Sequence, residues 1–321
     1  MNCPELFAGA RAWIARDFSG PPDWLLSLSE ETRQELKSAV ARAKQTMRRE
    51  DFPLLSFAST AAEIRRRLRD GSGFVVLRGL SLDDYADDEV RLLYAGLGTH
   101  LGTILPQNLR GDRLYSVRDE GIRMEADYGQ TGVRFSKTNA AFDFHTDSPS
   151  RVAGHTPDFI GLLVLRPAKS GGESALVSGY ALHNILREER PDVLRRLYQP
   201  FWVDRRAELP PGEDPVLPVP VFTFDGCLTD GCLTVRYLRF YITKGQEWKG
   251  EPLTSADVDA LDSFEEVMRR PGVAVTVPLE RGDLQLISNT SLLHSRTNYE
   301  DYAEPELKRH YLRLWLADRA A

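Results

Sequence analysis

The chain has 321 residues, 42% of them hydrophobic, with 41 Lys and Arg against 47 Asp and Glu for a net charge of −6. That length can bury a sizeable core, in one large domain or two small ones, and the mild acidity excludes the basic excess of a nucleic-acid binder. The three cysteines (Cys3, Cys227, Cys232) exclude a disulfide framework and fit a reducing cytoplasm.

No apolar run approaches the roughly 18 residues of a membrane span. The first residues carry charges at Glu5, Arg11, Arg16 and Asp17, unlike a signal peptide. A soluble cytoplasmic protein acting on a small molecule is the expectation, with self-association left open.

In chain order, residues 1–50 read as mostly helical. Ser27 or Ser29 can cap a helix whose Leu36, Val40, Ala43 and Met47 form one stripe. A second helix is expected from about Thr60 to Arg69, ended by Gly71 and Gly73, before a buried strand Phe74 to Leu77. A third runs from about Asp87 to Leu97. The basic runs Arg65-Arg66-Arg67 and Arg195-Arg196 read as solvated helix faces.

From Thr103 to Thr131 periodicity is poor apart from a strand-like Leu114 to Val117, and long irregular segments are often functional. Gln107 and Asn108 lie in it. Strands follow at Phe159 to Leu165, Ser174 to Val177 and Phe201 to Asp204, with helices at Tyr180 to Glu189 and Pro191 to Tyr198.

Glu208 to Pro220 reads as an acidic, Pro-rich loop. Val221 to Phe224 and Val235 to Ile242 read as a hairpin, its tip lengthened by a tandem duplication, Asp225-Gly226-Cys227-Leu228-Thr229 and Asp230-Gly231-Cys232-Leu233-Thr234. A helix from about Ser255 to Arg269 precedes strands at Val273 to Val277, Asp283 to Ile287 and Arg309 to Leu316. Many short strands punctuated by Gly and Pro, with inserted helices, favour a mainly β, jelly-roll-like double sheet. The whole chain, 1–321, reads as a single domain in which residues 1–70 form a helical portion packed on a 71–321 core.

The chemistry concentrates in Phe142-Asp143-Phe144-His145-Thr146-Asp147-Ser148. On an extended strand residues i and i+2 point to the same face, so the His145 imidazole and the Asp147 carboxylate can reach one point. Such a nitrogen and oxygen pair suits a first-row divalent metal. Chance alone supplies about 0.4–0.5 such triplets in a chain like this, so other residues must complete the site.

Of the six histidines, His294 stands out because it follows Asp283 to Asn289, a strand whose end can be presented at a barrel mouth. Further on, alternation along Arg309-His310-Tyr311-Leu312-Arg313-Leu314-Trp315 puts both arginines and both aromatics on one face. An inward guanidinium calls for an anion, either a ligand carboxylate or an internal acid.

Taken together, His145-x-Asp147, His294 and Arg309-x-x-x-Arg313 resemble the taurine dioxygenase / clavaminate synthase-like family of iron(II)- and 2-oxoglutarate-dependent oxygenases. Gly172-Glu173-Ser174 matches that family's Gly-Gly-acidic-Thr/Ser stretch, and Gly282-Asp283 precedes the last-ligand strand. The likeness spans roughly Gly73 to Asp318. It implies a double-stranded β-helix and iron held by His145, Asp147 and His294.

It further implies that Arg309, helped by the Ser174 hydroxyl, binds the distal carboxylate of 2-oxoglutarate. Arg313, Gln107 and Asn108 would serve the substrate, or Arg313 would brace the cofactor. Ala141 replaces a family asparagine, which puts substrate contacts from that position in doubt.

The implied reaction uses O2 and releases succinate and CO2 while hydroxylating an unactivated C–H of a small polar molecule such as an amino acid or related acid. Desaturation, cyclisation and a carnitine-pathway hydroxylation are alternatives within the class. The cysteine-rich module expected of the last cannot be made from three scattered cysteines. A zinc hydrolase lacks an H-E-x-x-H general base here, and a non-catalytic barrel needs neither triad nor arginine pair. Glu300 to Glu306 reads as a mobile lid or a plain solvated loop.

Overall fold

The computed structural model describes residues 6–18, 23–43, 48–121, 135–138, 142–149, 156–205, 209, 212–225 and 232–318. The chain enters through β1 (Leu25–Ser27) and helix α1 (Glu30–Arg42), where the Ser29 hydroxyl accepts from the Thr32 amide at the N-cap. Next come α2 (Ala58–Asp70), β2 (Phe74–Arg78), α3 (Asp87–Leu101), β3 (Thr103–Leu105) and β4 (Leu114–Val117).

The middle of the chain supplies β5 (Phe142–His145), β6 (Phe159–Arg166), β7 (Ser170–Gly171) and β8 (Ser174–Ser178), then α4 (Gly179–Glu189) and α5 (Pro191–Leu197). After these run β9 (Pro200–Asp204), β10 (Val216–Pro220), β11 (Phe222–Asp225), β12 (Cys232–Val235), α6 (Arg239–Lys249) and α7 (Ser255–Arg269). The last strands are β13 (Val275–Val277), β14 (Leu284–Ser288), β15 (Leu292–Arg296), β16 (Tyr299–Glu300) and β17 (His310–Ala317).

Two sheets form a jelly roll. The larger has seven strands in the order β1-β2-β14-β6-β17-β3, with β4 also on β17; the smaller has four, β13-β8-β15-β5. Period-2 alternation sorts the side chains. Val75, Leu77, Leu284, Leu286, Leu312 and Leu314 leave the back of the large sheet and join Leu36, Ile64 and Leu93 of α1, α2 and α3 in one core.

Behind the small sheet, Val177 and Leu293 pack with α4, α5, α6 and α7 through Leu182, Leu194, Ile242 and Phe264. Between the sheets, Phe74, Val76, Leu176, Ile287 and Leu292 fill one end. Toward the other end the polar His145, Asp147, Gln285, His294, Arg309 and Arg313 join Val117, Ile160, Leu162 and Tyr311 around the site.

Several expectations need correction. Residues 1–50 are not mostly helical: among those described, α1 ends at Arg42 and β1 runs parallel to β2. Met47 of the expected stripe lies outside the described residues. The Pro-rich loop contains β10, which pairs antiparallel with β9; proline is tolerated on such an edge strand.

Val235 to Ile242 is not one strand, because α6 begins at Arg239. Tyr241, Ile242, Gly245 and Gln246 are buried at helical spacing. A Cβ at Gly245 would lie 2.3 Å from the Trp202 carbonyl oxygen, so glycine is what lets α6 approach β9. Of the duplicated hairpin tip, Gly226 to Gly231 lie outside the described residues, while Cys232 to Thr234 of the second copy belong to β12 opposite β11. His294 lies within β15, a strand not expected from the sequence.

Candidate active site

His145 ends β5, and His294 sits directly opposite it on β15, their ring centroids 4.2 Å apart. Phe142 stacks on the His145 ring at 3.6 Å. The Asp143 carbonyl accepts from His145 Nδ1 at 2.8 Å, which leaves the Nε2 lone pair free. Asp147 lies just past the strand rather than in it, yet its Oδ1 stands 3.7 Å from His145 Nε2 and 3.9 Å from His294 Nε2.

The backbone around Asp147 is clamped. Its N–H donates to Asn289 Oδ1 at 2.7 Å, Asn289 Nδ2 donates back to its carbonyl at 3.0 Å, and the Thr146 N–H donates to the Tyr237 carbonyl at 2.8 Å. Immediately after, Ser148 takes a left-handed φ of 55° and turns the chain away.

These three buried side chains form a group that can hold a metal ion, with ligand atoms all within 4.8 Å of one another. Burial and the neighbouring His145 push the His294 imidazole down to about 3, so it stands as a neutral donor. Burial alone would raise the Asp147 carboxyl, but Arg313 and the two histidines hold it well below the usual range. The set is thus two imidazole nitrogens and one carboxylate on one side of a site, the donor chemistry of a non-haem iron(II) centre with open positions.

Only one Asp147 oxygen faces the histidines. The other, Oδ2, accepts from Arg313 Nη1 at 2.9 Å and from Trp315 Nε1 at 2.7 Å. Arg313 Nε in turn donates to Gln107 Oε1 at 2.8 Å, and Gln107 Nε2 donates to the Arg313 and Arg113 carbonyls at 2.8 and 2.9 Å. Gln107 is fully buried behind Arg313, whereas Asn108 exchanges hydrogen bonds with Asp112 in its own loop. The pocket wall includes Arg313 but neither of these two amides.

That pocket, about 70 Å³, brings His145, Asp147 and His294 together with Ser174, Gln285 and Arg309. Arg309 is 5% exposed and lies 3.7 Å over the Tyr311 ring, and among the described residues its Nε and Nη1 have no hydrogen-bond partner. A buried cation in that state fits an anionic ligand bound beside the triad. A larger groove of about 460 Å³ lies between α3 and strands β3 and β4, lined by Arg49, Asp88, Arg91 and Arg113. It lies away from the triad.

Sequence reading missed Trp315 as a partner of Asp147, Asn289 as a clamp, and both Gln285 and Arg296 on the pocket wall. Arg296 carried a usable signal, since it follows His294 by two residues on the same face of β15. Its Nη2 donates to the Thr138 carbonyl at 3.0 Å, and burial together with Arg309 lowers it to about 10. Ala141 and His155 lie outside the described residues.

The fold and the donor set define an iron(II)- and 2-oxoglutarate-dependent dioxygenase. Residues 34–315 match the model of the taurine catabolism dioxygenase TauD, TfdA family, and the chain belongs to that family. It is 31% identical over 317 residues to FR-33289 synthase of Streptomyces rubellomurinus, covering 96% of this chain and 89% of that one.

Among solved structures it resembles an asparagine oxygenase in complex with Fe(II), 2S,3S-3-hydroxyasparagine and succinate, with TM-score 0.63, 18% identity, and coverage of 91% of this chain and 93% of the other. The non-haem iron oxygenase OrfP, in complex with Fe and alpha-ketoglutaric acid, gives TM-score 0.65 at 14% identity, over 94% and 95% of the two chains. At these identities the likeness is one of fold.

Proposed function

We propose that this enzyme hydroxylates an unactivated C–H of a small polar substrate, an amino acid or related acid, with release of succinate and CO2. His145, Asp147 and His294 would hold the iron. Arg309, with Ser174 beside it, would hold the distal carboxylate of 2-oxoglutarate. The metal and the 2-oxo acid supply the oxidising chemistry; the protein binds, orients and excludes water.

The observation that carries this reading is the buried triad next to the buried Arg309 guanidinium, whose Nε and Nη1 have no partner among the described residues. Arg296 supports an acidic substrate, because it adds positive charge to a wall whose one carboxylate among the described residues, Asp147, already faces Arg313. The asparagine oxygenase complex, with its hydroxylated amino acid, supports the same class.

Desaturation or cyclisation would begin with the same hydrogen removal. A zinc hydrolase is disfavoured, since among the described pocket residues the only carboxylate is Asp147 itself. We read the chain as one oxygenase domain, supported by the core that α1, α2 and α3 share with the large sheet. A cytoplasmic location is supported by cysteine usage alone.

The test is succinate release with iron(II), 2-oxoglutarate and O2 across amino acids, sulfonates and other small acids. Turnover should vanish in His145→Ala and Asp147→Ala, and full activity in either variant would end the proposal.

A further inference from the structure

Gln285 is an unexpected residue where it stands. β14 is buried along its whole length between β2 and β6. Its neighbours Leu284 and Leu286 face the apolar core behind the sheet, while Gln285 points the other way, onto the pocket wall. The side chain is 0% exposed. Its Oε1 accepts from Ser174 Oγ at 2.9 Å, a bond that crosses from the small sheet to the large one. The Nε2 group has no partner among the described residues.

A buried donor left without an acceptor is costly, and an apolar side chain of similar size would avoid the cost. The Ser174 bond occupies the amide oxygen and leaves the N–H2 as the free end. It also engages the Ser174 proton, so at this corner the amide rather than the hydroxyl is the group able to donate. The corner is the one that holds Arg309: Gly172, two residues before Ser174, is close enough that a Cβ on it would lie 3.4 Å from Arg309 Nε.

We propose that Gln285 is a further cofactor-binding residue, donating from Nε2 to the distal carboxylate of 2-oxoglutarate alongside Arg309. The inference rests on the reading of Arg309 as the carboxylate anchor. It assigns Ser174 to orienting the amide. It also makes the closed end of the pocket selective for a 2-oxo acid that carries a second carboxylate.

The test is anaerobic titration of the iron(II)-loaded protein with 2-oxoglutarate and with pyruvate, which lacks the distal carboxylate, read by the visible charge-transfer band of the chelate and by thermal shift. Gln285→Leu should weaken 2-oxoglutarate about tenfold, the worth of one hydrogen bond to a charged group. Pyruvate and iron(II) affinity should stay unchanged, and the ligand-free protein should melt no lower than wild type. Should the leucine variant fail to fold, Gln285→Met keeps the side-chain length and is read in the same way.

Unchanged 2-oxoglutarate affinity in the variant, with binding lost in Arg309→Ala, overturns the role of Gln285 and leaves the Arg309 anchor standing. Unchanged affinity in both variants overturns the anchor as well. Equal weakening of 2-oxoglutarate and pyruvate places Gln285 at the chelating end and overturns the proposal.

Discussion

Arg313 Nη1 lies 2.9 Å from Oδ2 of Asp147, so the second arginine of the C-terminal strand reaches the metal-binding carboxylate. With Trp315 Nε1 on the same oxygen at 2.7 Å, the carboxylate is held from one side and presents Oδ1 alone to the histidines. Gln107 locks Arg313 from behind. We infer from this bond that Arg313 positions the carboxylate of the metal centre rather than reaching for the substrate. Partners of this kind govern how well a ligand is oriented and how tightly the metal is bound.

Arg313→Gln should therefore lower iron(II) affinity about 10–100-fold. At saturating iron the KM for substrate should change little. Metal titration followed by steady-state kinetics separates the two effects. A normal metal affinity with a steeply raised substrate KM would return Arg313 to substrate binding.

Trp315→Phe keeps a ring beside Arg313, whose guanidinium carbon lies 5.1 Å from the indole centroid, but removes the N–H to Asp147. One hydrogen bond to a charged group is lost, worth about 1.5–3 kcal/mol. Iron should bind about tenfold or more weakly, and the double variant with Arg313→Gln should fall short of the sum because both act on one oxygen. Strict additivity in that cycle would show that the two residues act separately.

The triad and the inward arginines were legible because such side chains are few and strand alternation sorts them by face. Which partner each would find was not. His294 faces His145 only because β15 pairs with β5. The five residues Leu292 to Arg296 mix apolar and polar types and become a strand through their ladders to β8 and β5. The aromatic and β-branched run that begins α6 favours strand locally, and packing against β9 through Gly245 overrides it. Gln107 was expected among the substrate contacts, and only the folded chain brings it under a residue 206 positions away.

Asp283 shows the same coupling on the structural side. Its carboxylate is 1% exposed and accepts from Arg78 Nε and Nη2 at 2.9 and 2.8 Å and from the Glu280 N–H at 2.9 Å. The turn that delivers it requires Gly282, whose φ is +87° and where a Cβ would meet the Leu80 carbonyl oxygen at 2.2 Å. Asp283→Ala should destabilise by about 2–4 kcal/mol, since three hydrogen bonds are lost at a buried position while Arg78 keeps some solvent. Chemical denaturation measures this, and a loss below ~1 kcal/mol would count against the pair as a fastening of β2 to β14.

Acid should loosen the fold through histidines remote from the metal. His183 on α4 is 0% exposed, within 6 Å of the rings of Phe7, Tyr198 and Phe222. Burial, with a smaller push from Arg187, lowers it to about 4. An unfolded chain restores an ordinary histidine near 6.5. Between those values the unfolded state binds more protons than the folded one, so stability is fully present above about pH 6.5 and is lost as pH falls toward about 4. The span corresponds to roughly 3 kcal/mol for this one group. His310, lowered to about 4 by burial and then by Arg166, adds a loss of the same sign over the same window. Replacing His183 with Phe keeps the aromatic contacts and removes the titrating group. Denaturant midpoints of the metal-free protein at pH 7.5, 6 and 5 should then fall less steeply in His183→Phe than in wild type, by up to about 1.4 kcal/mol per pH unit. Parallel slopes would mean that His183 is already protonated in the folded chain.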